Sequence, residues 1–466
     1  MELMAAFLGN KIRHYALTMG VGQGLQLRFS WDVPKIRPVS VERETVCDGC
    51  NDSAGFYSRN AIPSGLPIGD CSLSQICNVA ILGSTGSIGR AALDVLSKGD
   101  PRFRLAAISC HTQLGLFDEQ IRAFSPKFAF ATGPTSDALT GWQSSDSNSP
   151  PSSTLRRLGM EELVSLVQGP EVDIVIAAIV GVAGLETALA AAQAGKRLAL
   201  ANKESLVVSG SLMMEAAKNS GAEILPVDSE HSAVFQCLRS GHEKSDVKRI
   251  ILTASGGPLR DWPIEKLPSA TIGDALAHPT WQMGRKITVD SATMMNKALE
   301  VIEAKWLFDL EPEQIAVVVH PQSIIHSMVE FKDGSVIAQM SPPDMRLPIQ
   351  YALTYPRRVA APCPAMDWSQ PMQLDWKPAD LERYPALTLG FEVAKMGGTS
   401  GAVLNAANEA AVELFLNNRI KLTEIATICR QVLDHHHYSP SPTLSELLAL
   451  DQWGRNEVQR WVTTKC

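Results

Sequence analysis

Short apolar segments alternate with helical stretches from residue 78 to about residue 226, and this alternation constrains the fold more than any other feature. The apolar segments are residues 78–82, 103–109, 128–132, 174–179, 197–201 and 223–227. Strands separated by helices usually form a parallel sheet that is covered by helices on both faces. We therefore predict an α/β fold that begins with a Rossmann-like, doubly wound parallel sheet.

The patterning divides the 466 residues into five segments. We predict an extension over 1–76, the sheet domain over 77–226, a central α+β domain that would carry catalytic groups over 227–354, a Pro-rich connector over 355–386 and a C-terminal helical domain over 387–466. In the last segment one apolar stripe has helical spacing and is expected to be core. It consists of Leu404, Ala407, Ala411, Leu414 and Phe415.

The extension over residues 1–76 lacks sustained periodicity. Its first 31 residues contain Lys11, Arg13 and Arg28 but only one acid, Glu2. A basic excess of this kind is typical of an organelle presequence, and a disordered tail is the alternative. We expect a targeting or disordered extension and a plastid location, in a chloroplast or apicoplast-like organelle, or otherwise a cytoplasmic one.

The charge composition of the chain limits the classes of molecule that we expect it to bind. Charged residues make up 20% of the chain, both signs are mixed, and the formal net charge is −7. We therefore expect neither a nucleic-acid nor a membrane partner. The longest apolar run, residues 174–185, is shorter than the roughly 18–20 residues that a membrane span needs.

A glycine-rich loop follows the first predicted strand. Residues 83–89 have the sequence Gly-Ser-Thr-Gly-Ser-Ile-Gly and precede a predicted helix. Glycines in this position let backbone N–H groups approach a pyrophosphate at the positive end of the helix. The loop therefore predicts a dinucleotide site, with a tight structural turn as the alternative.

The end of the second predicted strand bears on the choice of dinucleotide. NAD-binding folds usually place a carboxylate there to hold the ribose 2′-hydroxyl. This chain instead has His111, Thr112 and Gln113. The missing acid favours NADP, although no Arg or Lys is present to pair with a 2′-phosphate.

Two acids, Asp228 and Glu230, follow the last predicted parallel strand. If the segment is extended, alternation places both on one face, where their charges repel unless a cation is bound. A hard divalent ion such as Mg²⁺ or Mn²⁺ suits oxygen ligands. An exposed charged turn is the alternative.

A predicted helix over residues 294–306 supplies further polar groups. Its spacing places Asn296, Glu300 and Glu303 on one face, with Lys297 beside Glu300. Glu300 is a candidate third metal ligand, and Asn296 and Lys297 suit an anionic substrate. A solvated salt-bridge ladder is the alternative.

Two loops complete the candidate site. Residues 253–258, Thr-Ala-Ser-Gly-Gly-Pro, follow another predicted strand and resemble a phosphate cradle or hinge. Residues 278–286 contain Trp281 and Met283 among polar residues. This composition predicts a lid that excludes water, with a static surface loop as the alternative.

Taken together, these motifs resemble the 1-deoxy-D-xylulose 5-phosphate reductoisomerase family over roughly residues 78–466. The segments that carry the resemblance are 83–89, 201–205, 226–231, 255–258, 278–286, 290–297, Glu300, 320–327 and 405–409. Their order and spacing match the family pattern. The turn at residues 111–113 departs from it, because the family usually has Gly-x-Asn there.

The resemblance implies a role for each matching residue. The metal ligands would be Asp228, Glu230 and Glu300. The substrate would contact Lys203, Ser229, Glu230, Ser255, His278, Trp281, Ser291, Asn296, Lys297 and Glu300. The cofactor would contact Gly83, Ser84, Thr85, Gly86, Ser87, Ile88, Gly89, His111, Thr112, Gln113, Asn202, Glu204 and Gly284. The acid–base groups would be Lys203, Glu230, His231, His278, Glu303 and His326.

The resemblance also implies an NADPH-dependent oxidoreductase that requires Mg²⁺ or Mn²⁺ and forms a homodimer. Its reaction would convert 1-deoxy-D-xylulose 5-phosphate to 2-C-methyl-D-erythritol 4-phosphate in non-mevalonate isoprenoid biosynthesis. A semialdehyde-type dehydrogenase would share the glycine loop, but such enzymes use a nucleophilic cysteine or lack the three acids. A dinucleotide-sensing regulator would have no reason to keep Asp228, Glu230 and Glu300 together.

Overall fold

The computed structural model describes residues 76–133, 141–142, 154–240 and 243–465. The predicted extension, residues 1–76, therefore lies outside the described residues except for residue 76. Both the α/β class and the N-terminal doubly wound sheet are confirmed. None of the helices in the described ranges is long and apolar enough to cross a membrane.

The first sheet contains seven strands that all pair in parallel, in the order β4-β3-β2-β1-β5-β6-β7. The strands are β1 (Cys77–Leu82), β2 (Phe103–Cys110), β3 (Phe128–Ala131), β4 (Leu155–Leu158), β5 (Ile174–Ala177), β6 (Arg197–Leu200) and β7 (Glu223–Pro226). The strand order reverses between β1 and β5, and ligands of such sheets bind outside the carboxyl ends of strands at this point.

Six of these strands match the predicted apolar segments, whereas β4 was missed. Its sequence, Leu-Arg-Arg-Leu, has no apolar run because it lies at the edge of the sheet, where its side chains are exposed or half-buried. Edge strands carry charges without a burial penalty. The helices of this region are α1 (Ser87–Lys98), α2 (Leu114–Phe124), α3 (Met160–Gln168), α4 (Leu185–Gln193) and α5 (Lys203–Ser220).

The second sheet has five strands in the order β11-β10-β8-β9-β12. They are β8 (Val247–Ala254), β9 (Ile315–Val319), β10 (Ile325–Phe331), β11 (Val336–Met340) and β12 (Lys377–Pro378). Only β8 and β9 pair in parallel. The helices between β7 and β12 are α6 (Ser229–Cys237), α7 (Ile272–Leu276), α8 (Arg285–Thr293), α9 (Met295–Phe308) and α10 (Arg346–Thr354).

The remaining helices are α11 (Pro385–Met396), α12 (Ser400–Leu416), α13 (Glu424–His435) and α14 (Leu444–Lys465). The predicted apolar stripe lies on α12 and is buried along its whole length. Helix α12 packs against α5 and α8 as well as against α13 and α14. The helical region therefore supports both the first sheet domain and the site described below.

Helix α9 is buried on several sides because glycines let its neighbours approach. A Cβ on Gly210 of α5 would lie 2.3 Å from the Trp306 ring, and one on Gly390 of α11 would lie 2.6 Å from the Ala298 Cα. Real Cβ atoms do not approach backbone so closely. These contacts determine the position of α9 relative to α5 and α11.

We predict that Gly390→Ala destabilises the protein by about 1–3 kcal/mol, the usual cost of overpacking a core. The measurement is urea unfolding followed by circular dichroism. Gly115→Ala is the matched control, because Gly115 also lies in a helix but has no atom near its virtual Cβ. Equal stability of the two variants would contradict the packing argument.

Candidate active site

A cavity of about 750 Å³ lies at the carboxyl edge of the first sheet. Its walls come from the segments that follow β5, β6 and β7, from α8 and α9, and from the loop between α7 and α8. The ends of parallel strands, the loop between α7 and α8, and the polar residues of α9 therefore all line one cleft. A concave site of this size is suited to a small ligand and a cofactor.

The predicted acids do meet, but not by strand alternation. Asp228 is the N-cap of α6, and its Oδ1 accepts a hydrogen bond from the Glu230 N–H at 3.2 Å. The extended conformation assumed for this segment is therefore wrong. Asp is a preferred N-cap residue, and here that preference outweighs continuation of β7. Asp228, Glu230 and Glu300 each place a carboxylate oxygen within 4.8 Å of the others.

Two buried lysines lie between these carboxylates. Lys203 Nζ contacts Asp228 and lies 2.8 Å from Glu300 Oε1 and 2.9 Å from Asn296 Oδ1. Lys297 Nζ lies 3.0 Å from Glu230 Oε1 and also contacts Glu300. Three carboxylates and two ammonium groups therefore share one site, where negative charge exceeds positive charge when all of them are ionised.

The pKa values of the acids reflect this imbalance. Burial raises the pKa of Glu230 to about 7; Lys297 opposes this rise, and Glu300 and Asp228 add to it. For Asp228, burial acts in the same direction, but the charges of Lys203, His231 and Lys297 outweigh it and hold the pKa well below its usual range. One of the three acids is thus not fully ionised at neutral pH, and a further cation would favour its charged form.

The loop between α7 and α8 brings an imidazole and an indole over the cleft. His278 Nδ1 accepts hydrogen bonds from the backbone N–H groups of Trp281, at 2.9 Å, and Thr280, at 3.2 Å. The proton of the neutral ring must therefore be on Nε2, which donates to Ser255 Oγ at 3.0 Å. Burial, with the charge of Arg260, lowers the pKa of His278, so the neutral donor form is stabilised.

The glycine loop closes against β5. Gly83 has a φ of +86°, and a Cβ there would lie 2.7 Å from the Ala178 carbonyl oxygen. Ser87 and Ile88, at the start of α1, line the cavity. Ser84 does not, because its side chain is buried and its hydroxyl donates to Gln120 Oε1 at 2.7 Å.

The other predicted cofactor residues have different environments. His111, Thr112 and Gln113 are exposed between β2 and α2 and do not line the cavity. Asn202 lines it, but its amide donates to the Ile179 and Gly181 carbonyls and its Oδ1 caps α5 at Ser205. Glu204 and Gly284 also line the cavity. The remaining loop residues, Thr85, Gly86 and Gly89, do not line the cavity.

All ten predicted substrate residues line the cavity. They are Lys203, Ser229, Glu230, Ser255, His278, Trp281, Ser291, Asn296, Lys297 and Glu300. Three predicted acid–base residues do not: His231, Glu303 and His326. His231 Nδ1 and Glu303 Oε2 are 3.0 Å apart, fully buried behind the acids, and His326 packs edge-on to Trp281 with 6.3 Å between ring centroids. Their positions suit supporting roles.

Sequence reasoning missed two lining segments. Ala178, Ile179 and Val180 follow β5, and Val180 remains 70% exposed although it is apolar. Their place directly after an apolar strand is a signal that was available. Residues 343–345 follow β11 and also line the cavity. Nothing in their local sequence indicates that they approach the first sheet.

Stability should depend on the protonation of His326. Burial lowers its pKa to about 4, from about 6.5 in an unfolded chain. The contribution of neutral His326 is thus complete above pH 6.5 and declines as the pH falls toward 4. We predict a loss of about 2 kcal/mol of unfolding free energy between pH 7 and pH 5 from this group.

The test compares urea unfolding at the two pH values in wild type and His326→Gln. The variant should lose less stability than wild type on acidification. His435→Gln is the control, because His435 is an exposed residue of α13. An equal pH dependence in wild type and His326→Gln would contradict the assignment.

Several relatives of this chain are bacterial proteins. A reductoisomerase of Rhodopirellula baltica is 50% identical, over 82% of this chain and 94% of the relative. One of Pelotomaculum thermopropionicum is 49% identical, over 81% of this chain and 97% of the relative. The prediction of a plastid location is wrong, because the matching relatives are bacterial proteins.

Solved structures match over the same part of the chain. One is a crystal structure of DOX-P reductoisomerase in complex with NADPH, fosmidomycin and magnesium, with 38% identity and a TM-score of 0.79, covering 83% of this chain and 98% of that one. Another is the 1-deoxy-D-xylulose 5-phosphate reductoisomerase of Zymomonas mobilis with NADPH, at 40% identity, a TM-score of 0.76 and coverage of 83% and 99%.

Three family models match successive parts of the chain. The 1-deoxy-D-xylulose 5-phosphate reductoisomerase model matches residues 79–210, its C-terminal domain model matches 224–308, and the DXP reductoisomerase C-terminal domain model matches 340–457. The shared sequence extends across the glycine loop, the acid cluster and the helical region. The chain therefore belongs to the 1-deoxy-D-xylulose 5-phosphate reductoisomerase family.

Proposed function

We propose that this protein converts 1-deoxy-D-xylulose 5-phosphate to 2-C-methyl-D-erythritol 4-phosphate with NADPH and Mg²⁺ or Mn²⁺. The observation that carries the proposal is the convergence of three carboxylates and two lysines on a cleft beside a dinucleotide-type loop. Family membership supplies the reaction, which rearranges the carbon skeleton and then reduces an aldehyde. It is the reductoisomerase step of the non-mevalonate isoprenoid pathway.

We propose that the chain is divided according to where these groups lie. Residues 77–226 bind NADPH, 227–354 hold the metal and substrate, 355–386 connect, and 387–466 form the helical support. The seven-stranded sheet, the polar groups of α6, α8 and α9, and the packing of α12 support the first, second and fourth parts of this division. Two elements depart from it: α10, at the end of 227–354, packs against α1, β6 and β7, and β12 of the second sheet lies within 355–386.

A divalent metal fits the chemistry of the donor set. Asp228, Glu230 and Glu300 provide oxygen ligands that are close together, and the raised pKa of Glu230 indicates that the cluster lacks positive charge. When bound, the metal acts as a Lewis acid toward substrate oxygens. Lys203 and Lys297 would then be released from some carboxylate contacts and could bind anionic or hydroxyl oxygens of the substrate.

The other residues bind and enclose the substrate. Ser255, Ser291 and Asn296 present hydroxyl and amide groups to the cleft, and the Nε2–H of neutral His278 is a further donor for a phosphate oxygen. Trp281 lies on the lid loop, residues 278–284, and would exclude water. His231 and Glu303 support the acid cluster from behind, since the His231 ring also contacts the Glu300 carbonyl at 2.9 Å.

NADPH would lie between the glycine loop and the lid. Ser87 and Ile88 of α1, Asn202 and Glu204 of α5, and Gly284 at the end of the lid loop line that part of the cavity. Gly83 and Gly89 allow the close packing that holds the loop in place. The exposed side chains of His111, Thr112 and Gln113 would donate to the 2′-phosphate.

We predict that the purified protein oxidises NADPH only when both 1-deoxy-D-xylulose 5-phosphate and Mg²⁺ or Mn²⁺ are present. Absorbance at the NADPH wavelength measures turnover. Glu230→Gln should lower kcat by at least about 100-fold, because a preorganised charged group acts on the reacting centre. A comparable rate with NADH would show that residues 111–113 have relaxed cofactor choice.

Glu330→Gln is the matched control for Glu230→Gln. Glu330 also pairs with two cations, Lys248 and Arg249, but it lies on the second sheet away from the cavity. Its variant should retain wild-type turnover. Unchanged turnover in Glu230→Gln would refute the metal assignment.

We also propose that the protein is a homodimer. Strand β11 is an edge of the second sheet, and Val336 and Ile337 on it are 49% and 37% exposed. An apolar edge strand with unpaired backbone groups tends to pair with another chain. A second copy across a twofold axis would cover it.

The dimer proposal predicts a sedimentation mass near twice the chain mass of 50.4 kDa. Ile337→Lys should shift the protein toward monomer, because a buried lysine at the interface is costly. Leu155→Lys is the control, since Leu155 is exposed on β4 at the edge of the other sheet. A monomeric wild-type protein at micromolar concentration would refute the dimer.

A further inference from the structure

Lys286 is a half-buried lysine at the edge of the cavity that pairs with two acids outside the acid cluster. It lies in the first turn of α8, where the lid loop ends. Its Nζ is 2.9 Å from Glu204 Oε1 and 3.0 Å from Asp290 Oδ2. Glu204 lies in the first turn of α5 on the cofactor side, whereas Asp290 lies one turn further along α8. Lys286 therefore joins the end of the lid to the first sheet domain.

The same network reaches the C-terminal helices. Asn408 of α12 donates from Nδ2 to Asp290 Oδ1 at 2.9 Å in a buried contact. The next residue, Glu409, pairs with Arg455 of α14, which also pairs with Asp451. Helix α8 is thus held from one side by α5 and from the other by α12.

The charges of Lys286, Glu204 and Asp290 make the contact among them important for the position of α8. Burial opposes the charge of Lys286, but Asp290, Glu204 and Glu409 outweigh it and raise the pKa of the lysine. Burial likewise opposes ionisation of Glu204, which Lys286 offsets. Loss of Lys286 would leave Glu204 and Asp290 without this partner, and both would favour a rearranged α8.

Helix α8 also holds the end of the lid loop and a residue that lines the cavity. The lid loop with His278 and Trp281 ends at Gly284, the N-cap of α8, and Ser291 lies on the same helix. A shift of α8 would displace the lid and a substrate-facing hydroxyl together. Displacements of about 1 Å in such groups can lower rates by roughly 100-fold.

We propose that Lys286 is a positioning residue that anchors the lid through Glu204 on the cofactor side and through Asp290 and Asn408 on the C-terminal side. The proposal rests on the proposed function of the cleft. It assigns to the C-terminal helices a part in substrate binding, although none of their described residues lines the cavity.

The test uses full-length Lys286→Met, Lys286→Arg and Asn408→Ala. Lys286→Met should raise the KM for 1-deoxy-D-xylulose 5-phosphate by about tenfold or more with a smaller effect on kcat, because a displaced lid weakens binding. Lys286→Arg should restore much of this loss, since it keeps the charge. Asn408→Ala should raise KM in the same direction, although Asn408 does not line the cavity.

Hydrogen exchange measured by mass spectrometry gives a readout independent of turnover. Amides in residues 278–293 should exchange faster in Lys286→Met and Asn408→Ala than in wild type, with little change elsewhere. Arg430→Gln is the control, because it breaks the Arg430–Glu392 pair between α13 and α11 away from the cleft. Its KM and exchange should match wild type.

Unchanged KM and unchanged exchange in Lys286→Met would overturn the proposal. If that variant does not fold, Asn408→Ala decides, and wild-type exchange of residues 278–293 in it would overturn the proposal equally. Absence of turnover in the wild-type protein would instead refute the proposed function, while the exchange experiment would still test the anchoring of the lid.

Discussion

The structure depends on one buried arrangement of charge, in which Lys203 and Lys297 separate the carboxylates of Asp228, Glu230 and Glu300. Burying these groups is favourable only when each has a partner, because an isolated charge in a protein interior is strongly destabilised. The five groups belong to α5, to α6 with its N-cap, and to α9, so these three helices must pack closely together. The glycine contacts around α9 provide that closeness.

Around this cluster the chain separates groups that face the cleft from groups that support them. Neutral His278 presents a donor to the cavity, and its tautomer is determined by two backbone N–H groups of its own loop. His231 and Glu303 are fully buried, lie 3.0 Å apart (Nδ1 to Oε2) and do not line the cavity. The distinction follows from burial and geometry, since all three side chains are of types used in acid–base chemistry.

Several features could be predicted from local sequence, and the failures have physical causes. The apolar strands were recognisable because both faces of a parallel sheet are covered. Strand β4 was missed because an edge strand can carry Arg156 and Arg157. The backbone at Asp228 was misread because period-two alternation and helix capping both fit two acids spaced by one residue, and only the helix that follows decides between them.

The sequence by itself determined the order of strands and helices, the glycine loop and the residue types of the site, because these depend on local periodicity and backbone sterics. Tertiary structure alone decided which of those residues meet. Lys203 and Glu300 are 97 positions apart, yet their charged atoms are 2.8 Å apart because α5 packs against α9. Lys286 similarly looked like one polar residue of a lid until folding placed Glu204, 82 positions away, beside it. Such partners are selected by packing across the whole chain, which local sequence does not encode.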